Sequence, residues 1–317
     1  MRAAVFERYG PPDVVQIREV TDPAVGAGEV LVKVRATTLS AADWRLRKAE
    51  PFFVRLMAGL TRPKRTVLGL EFAGVVEKAG ADASRFGVGD RVFGSAGFAF
   101  GAHAERLAVS EDALTPAPDN LGDDGAAAIL FGGVTALHFL RTASVAPGQK
   151  VLIYGASGCV GTSAVQLAKR FGATVTAVCS GANLDLVRAI GADEVIDYAR
   201  GDFSSAGPVY DVVFDTVGKA GLGRSLRALR RGGILLQAAP APLWWLAAPI
   251  LAATGHAKII SGLARPEAGD REFFRRLIAA GELRPVIGAR FAFEDIAEAH
   301  RYAESGRKVG SAVVIVA

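Results

Sequence analysis

The sequence predicts an α/β protein in which a β-rich domain accompanies a doubly wound parallel-sheet domain. Three observations carry that expectation. Lys150 to Gly161, K-V-L-I-Y-G-A-S-G-C-V-G, reads as a strand, a glycine turn and the start of a helix. From there to residue 262, apolar strands alternate with helical patterns, which is the rhythm of parallel βαβ units. Before residue 118 short alternating strands dominate, and the tail resembles that part more than the middle. At 317 residues, two domains are the natural expectation. The expected division is 1–118 for the first part of the β-rich domain, 119–262 for the parallel-sheet domain and 263–317 for the piece that completes the first.

In order, Val14–Val20 and Glu29–Ala36 alternate apolar with polar residues, the mark of half-buried strands. Leu68–Ala79 predicts a strand pair, with Gly69 and Gly74 as bulges or close approaches. Gly87–Gly94 is a turn feeding a strand, and Ala104–Val109 is the last strand of this part. Between them Ala41–Gly59 reads as helix and carries Trp44, Phe52, Phe53, Leu56 and Met57. Pro116 and Pro118 mark a boundary, and Gly125–Ala143 predicts a long apolar helix with Gly132 and Gly133 in its middle. Strands are then expected at Val151–Tyr154, Thr174–Cys179, Glu194–Asp197, Asp211–Asp215, Ile234–Ala238 and Lys258–Ser261. Helices are expected over 160–171, 183–190 and 221–230. Asp270–Ala280 is an amphipathic helix that Gly281 stops. Phe291–Phe293, a helix Glu294–Ser305 and a strand Ala312–Val316 close the chain.

Composition narrows the function. The chain is 50% hydrophobic and 22% charged, ordinary globular usage, and it has no low-complexity tract. Its net charge of +5 is spread out, and no long basic run or aromatic platform points to nucleic acid. The two cysteines, Cys159 and Cys179, exclude a disulfide framework and suit a reducing compartment, so the cytoplasm is expected. His103, His138, His256 and His300 are isolated from one another, and no metal site is expected. The N-terminus lacks the pattern of a signal peptide. No uninterrupted apolar run reaches about 18 residues, so no membrane span is expected.

In the glycine turn, the helix N-terminus offers backbone N–H groups to an anion, and missing side chains let a pyrophosphate come close. The dinucleotide fingerprint places glycine at 156, 158 and 161; Ala156 stands at the first, with Gly155 before it. Ser157 adds a hydroxyl. Cys159 reads as a small residue of the turn, because no neighbouring His or Lys in sequence lowers its pKa. About 20 residues past the last glycine, an acid would take the ribose hydroxyls of NAD. Here stand Cys179-Ser180-Gly181-Ala182-Asn183, with no carboxylate to repel a 2′-phosphate. Ser180 and Asn183 can donate to that phosphate and Tyr198 can add a hydroxyl, so NADPH is the expected cofactor. No cation stands beside Ala182, and Arg188 is the substitute.

Met1–Val5, Gly69–Val76 (G-L-E-F-A-G-V-V), Gly87–Val92 (G-V-G-D-R-V), Gly155–Gly161, Gly191–Tyr198 and Tyr210–Asp215 stand at familiar spacings. Over its whole length the chain resembles the medium-chain dehydrogenase/reductase superfamily, in its zinc-independent quinone oxidoreductase-like branch. The resemblance implies a GroES-like β-rich catalytic domain, a Rossmann domain and a cleft between them. It also implies a homodimer that uses NADPH to reduce quinones, enones or similar carbonyl compounds. Zinc-dependent members carry Cys near position 41, a Gly-His-Glu motif and a later Cys; here Ala41, Leu70 and no cysteine fill those places.

By the same resemblance Gly155, Ser157, Gly158, Cys159, Val160 and Gly161 line the pyrophosphate, and Ser180, Asn183 and Tyr198 face the adenosine ribose. Thr135 sits near the nicotinamide. Asp215, Val217, Gln237 and Ala238 lie at later strand ends over the cofactor, and Leu263 to Arg265 pass the carboxamide. Where many relatives have Gly-Lys near the C-terminus, this chain has Gly310-Ser311. Ser40, Asp43 and Trp44 occupy the segment that reaches the cleft. Ser40 is the candidate donor to a carbonyl oxygen, and Asp43 reads also as a helix-start residue. Gly232–Ala257 contains no Asp, Glu, Lys or Arg. Its Trp244 and Trp245, with Phe53 and Met57 and the nearby Trp44, are expected to wall an apolar substrate pocket; a dimer face or a covered helix is the alternative for that segment. The expected function is NADPH-dependent reduction of an apolar small molecule. A non-catalytic NADPH-binding regulatory or assembly protein and a zinc-free alcohol dehydrogenase are the alternatives.

Overall fold

The structure, a computed structural model, describes residues 1–52, 54–239, 242–267 and 269–316. It divides into two compact units, Met1–Phe131 with Arg271–Ala317, and Gly132–Asp270. The first opens with β1 (Arg2–Val5), β2 (Gln16–Glu19), β3 (Glu29–Leu39), α1 (Ala41–Lys48), α2 (Val54–Ala58), β4 (Glu71–Ala79), β5 (Arg91–Ser95), β6 (Arg106–Ser110), β7 (Leu114–Pro116) and α3 (Asp123–Ala127). α4 (Leu130–Thr142) leads into the second unit, which holds β8 (Lys150–Tyr154), α5 (Cys159–Arg170), β9 (Thr174–Cys179), α6 (Leu184–Ala189), β10 (Glu194–Asp197), β11 (Tyr210–Asp215), α7 (Leu222–Ala228), β12 (Leu229–Gln237), α8 (Pro242–Ala253) and β13 (Ala257–Ser261). α9 (Asp270–Ala279), β14 (Ile287–Ala292), α10 (Ile296–Glu304) and β15 (Ser311–Ile315) complete the first unit.

The first unit is built on a sheet of order β14-β15-β3-β4-β5-β7, with β6 also on β3. β3 alternates buried and wetter residues up to Arg35, and from Ala36 to Leu39 it is buried on both sides. Val30, Val32, Val34, Phe72, Val92, Leu114, Phe293 and Val314 form its core. Leu68–Ala79 gives one strand instead of the expected pair, and its partners are β3 and β5. Gly74 is a close approach: a Cβ there would fall 2.0 Å from the Lys33 carbonyl oxygen. The expected helix over Ala41–Gly59 is two. Pro51 disfavours helical geometry at Glu50, and Ala49 turns left-handed at φ 54°. β7, a strand not expected from the sequence, extends the sheet beyond β5, and its Pro116 lies on an edge strand, where a missing N–H is tolerated.

The expected edges after residues 118 and 262 fall inside these units. α3 packs on β3 and β4, and its Asp123 and Asp124 pair with Arg91 at 2.9 Å and Arg290 at 2.7 Å. The chain to Phe131 therefore stays with the first sheet. Asp270 is held by Arg141 at 2.6 Å and by the Glu267 N–H at 2.8 Å, so the stretch to Asp270 stays with the second.

The second unit is a six-stranded parallel sheet of order β10-β9-β8-β11-β12-β13. Val151–Tyr154 and Val175–Cys179 are buried throughout, as both-face covering by helices demands. Leu229 and Arg230, expected in a helix, open β12 instead. α8 carries Pro249 within it; its Trp244 is buried while Leu246 and Ile250 stand exposed, so the helix is covered on one side only. The stretch Asp123–Thr142 is apolar and long enough to cross a membrane by composition, and 67% of it is buried within the protein, as a core helix is.

Candidate functional site

The order of the second sheet reverses between β8 and β11, which is the switch point at which doubly wound sheets bind ligands. The glycine turn sits at the carboxyl end of β8, and its three glycines differ in what they need. Gly155 is left-handed at φ 80°, and a Cβ on it would lie 2.7 Å from Thr216 Oγ1 and from Val217. A Cβ on Gly161 would meet the Gly155 carbonyl oxygen at 2.2 Å, so helix and strand touch there. Both are required by the protein's own packing. Gly158 is not: the nearest atom to its Cβ would be 3.5 Å away. It is the N-cap of α5, and no side chain caps the helix there. An uncapped helix N-terminus behind a residue whose side chain would reach into open space suits a pyrophosphate.

Around the turn the expected residues gather unequally. Asn183 Nδ2 donates to Ser157 Oγ at 3.2 Å and to Ser180 Oγ at 3.0 Å, and an oxygen that accepts in this way keeps its own O–H to donate. Tyr198 is exposed, with its ring 6.5 Å from that of Tyr154. Asp215 is fully buried. Burial pushes its carboxyl up, and N–H groups of Val217, Gly218, Lys219 and Ala220 at 2.7 to 3.3 Å oppose that. Its oxygens shape the 216–220 loop and so set Val217 over Gly155. Gln237, in register with Asp215, is fully buried, and neither of its amide atoms has a partner. A buried amide with both ends unmet calls for a polar ligand group, and it lies at the ligand edge of the sheet. Ala238 follows it, half-buried. Gly132 packs α4 on the turn, where a Cβ would fall 2.4 Å from the Cys159 carbonyl oxygen, and Thr135 lies one helical turn further. Leu263 and Arg265 follow β13, three strands from β8, about 14 Å across the sheet.

Cys179 is buried, and its thiol is pushed up to about 11 by burial and then by Asp197, with Arg188 opposing; it is an inert core thiol. That proximity of Asp197 was not legible in the sequence, because the carboxylate comes from the next strand.

In the first unit, Ser40 and Asp43 form a capping box on α1. Ser40 Oγ donates to Asp43 Oδ2 at 2.6 Å, and Asp43 also accepts from the Ser40 N–H at 2.8 Å and the Gly69 N–H at 2.9 Å. Asp43 thus joins α1 to the start of β4, and Ser40 directs its proton inward. Trp44 packs against the core with Arg45 and Lys48 at 5.2 and 5.8 Å over its ring. In the second unit Trp244 is 5% exposed and packs with Leu152, Tyr154 and Leu235, so its indole is core and not a pocket wall. Phe53 and the side chains of Met57 and Trp245 lie outside the described residues.

A buried network that sequence reasoning missed surrounds Ser40 and Asp43. Glu71 accepts from Thr38 Oγ1 at 2.7 Å and from the Phe131 N–H, and burial pushes it up to about 7. His103 Nε2 donates to the Thr38 carbonyl at 3.0 Å. Arg47, fully buried, donates to His300 Nδ1 at 3.3 Å, to the Gly10 carbonyl at 2.5 Å and to Glu304. Burial, then His103 and Arg47, hold His300 well below its usual range. The one signal for Glu71 in the sequence is a carboxylate inside the apolar run Gly69–Val76. Among the described residues no group of three or more His, Cys, Asp or Glu side chains is placed to hold a metal ion.

Comparison with known proteins agrees with this anatomy. The family model described as the alcohol dehydrogenase GroES-like domain matches residues 26–119, and one described as a zinc-binding dehydrogenase matches 190–314. A quinone oxidoreductase of Pseudomonas aeruginosa is 32% identical over 98% of both chains. An NADPH-dependent alkenal/one oxidoreductase of Arabidopsis thaliana is 29% identical over 99% of this chain and 79% of that protein. The structure of a quinone oxidoreductase from Coxiella burnetii superposes with a TM-score of 0.90, at 30% identity, over 100% of this chain and 99% of the other. With matches running its full length, and with the reversing sheet order and the pyrophosphate turn to explain them, the chain belongs to the medium-chain dehydrogenase/reductase superfamily, in its quinone oxidoreductase-like branch.

Proposed function

We propose that the protein reduces an apolar enone, quinone or related carbonyl compound with NADPH, without a metal. The observation that carries the reading is the turn itself. Gly158 has room for a side chain that the protein's packing does not exclude, at an uncapped helix N-terminus on the switch point of the sheet. The relatives named a quinone oxidoreductase and an NADPH-dependent alkenal/one oxidoreductase support the substrate class and the cofactor. Bound NADPH would supply the hydride.

The chain's own residues bind and orient. The first N–H groups of α5 receive the pyrophosphate, Ser157 and Ser180 keep hydroxyl protons to donate beside it, and the Gln237 amide meets a polar group at the carboxyl edge. Ser40 is the candidate donor to the substrate oxygen. To act it must release the Asp43 carboxylate, which then accepts the Ser40 N–H alone on that side. The metal-free reading rests on Ala41 and Leu70, which stand where zinc-dependent members carry ligands. A homodimer belongs to the same reading; uncharged α8, with Leu246 and Ile250 exposed, supports it. Cys159 and Cys179, which form no disulfide, suit the cytoplasm.

Following NADPH absorbance with quinones, enones and ketones tests the function. Turnover on quinones or enones is expected; tight NADPH binding with no turnover on any of them would overturn it. Fluorescence titration should show NADPH binding more tightly than NADH. Ser40→Ala with unchanged turnover removes Ser40 from the reaction.

A further inference from the structure

The dinucleotide reading, on which this inference rests, leaves open what decides the nucleotide's 2′ position. NADPH is expected because no carboxylate stands at the end of β9. The fold brings one there from the next strand. Asp197 ends β10 in register with Cys179. Its Oδ2 lies where only a glycine leaves room, since a Cβ on Gly181 would come within 2.7 Å of it. Gly181 itself lies between Ser180 and Asn183, two members of the hydroxyl–amide trio. The Ala199 N–H holds Asp197 Oδ1 at 3.0 Å, and the side chain is 13% exposed, so the carboxylate is fixed in place. For Oδ2 the partner is Arg200 Nε at 3.8 Å, on a side chain that is 90% exposed. Arg200 stands two residues from Tyr198 on one turn, whereas Arg188 is paired with Asp185 at 3.0 Å.

A fixed carboxylate at this place accepts a ribose hydroxyl and repels a 2′-phosphate. A long, solvated arginine held loosely beside it does the reverse. We infer that Asp197 and Arg200 together set the cofactor choice: Asp197 holds back a 2′-phosphate, and Arg200 leaves Asp197 to receive it.

Calorimetric titration of the full chain with 2′,5′-ADP and with 5′-AMP, which differ only by the 2′-phosphate, isolates that group from the nicotinamide and from any substrate. Arg200→Ala should weaken 2′,5′-ADP about three- to tenfold, the range of a partly solvated charged contact, and leave 5′-AMP unchanged. Asp197→Asn keeps an acceptor for the Ala199 N–H and should tighten 2′,5′-ADP by a similar factor. Arg200→Lys should retain most of the affinity. Arg200 is exposed, so its variants report on the site whatever Asp197→Asn does to folding. If no variant moves the ratio of the two affinities, the inference falls while the dinucleotide reading stands. If neither nucleotide binds the unaltered chain, both fall together.

Discussion

Among the described residues, the first unit buries Asp43, Arg47, Glu71, His103 and His300 at 2% exposure or less, whereas the second, of its charged residues, buries only Asp215 that far. The two units satisfy these groups differently. Asp215 takes its hydrogen bonds from the N–H groups of Val217, Gly218, Lys219 and Ala220, so one local loop answers one carboxylate. In the first unit the partners come from far along the chain: Arg47 meets His300 across 253 residues, and Glu71 meets Phe131 across 60. The parallel-sheet unit therefore puts its chemistry in backbone geometry, and the β-rich unit puts its own in side chains that only the finished fold assembles. Buried side-chain networks are costly when one member is lost, and backbone sites are costly when a side chain intrudes.

The largest test of this contrast is Arg47→Met. It removes a fully buried cation and leaves the Gly10 carbonyl, His300 and Glu304 without their donor. A loss of about 4 kcal/mol is expected in urea denaturation, the range for breaking a buried ionic pair from one side. A loss under about 1 kcal/mol would mean that the network is decoration on an apolar core, and the contrast between the units would collapse.

The same contrast explains what could be read from the sequence. Lys150–Gly161 was legible because its function depends on residues adjacent in sequence, and the strand–helix rhythm around it fixed where the turn had to lie. Asp197 was missed although it stands in plain sequence. It reaches Gly181 only through the register of β10 on β9, which periodicity does not reveal. Trp244 was misread because an uncharged segment does not say which face of its helix is covered. Glu71, Arg47 and the two buried histidines were out of reach for the same reason as Asp197, over longer separations.

A pH series sharpens the comparison with an effect of about 3 kcal/mol, from a Glu71 carboxyl raised from 4.5 to about 7. Burial is the main cause, Asp43 adds to it, and Thr38, Phe131 and Lys308 oppose it. Above 4.5 the unfolded chain gives up that proton while the folded chain keeps it, so this stability is complete below 4.5 and is lost as pH climbs to about 7. His300 works in the other direction. Below 6.5 the unfolded imidazole takes a proton that the buried one refuses, so stability falls as pH falls. Between 4.5 and 6.5 the two slopes oppose each other. Glu71→Gln copies the neutral acid and removes one slope. Melts from pH 7 to 5 should then fall with acid more steeply than those of the unaltered chain. Equal slopes would exclude Glu71 as a titrating group of the first unit.

Two glycine substitutions probe the second unit at about 2 kcal/mol or less. Gly161→Ala forces a Cβ to within 2.2 Å of the Gly155 carbonyl, so the turn must shift. About 2 kcal/mol of stability and at least about 100-fold in dinucleotide affinity should go together. Gly158→Ala meets nothing nearer than 3.5 Å, so its melting point should hold while dinucleotide affinity falls about tenfold. If Gly158→Ala unfolds the unit, that glycine serves packing and the anion site loses its best support.

The smallest effect is expected on α8, and it bears on whether the second unit is complete by itself. Leu246 and Ile250 are 72% and 67% exposed, one helical turn apart, on a helix without a charge. Because they already face water, replacing both with serine removes little buried area, and the change in stability of an isolated chain should stay within about 0.5 kcal/mol. The same replacement should shift a dimer toward monomer in sedimentation analysis if this face mates with a second copy, and the melting temperature would then become dependent on protein concentration in the parent alone. An unchanged sedimentation profile assigns those two side chains to something other than self-association. In that case the second unit draws its stability, like its chemistry, from its own backbone and core.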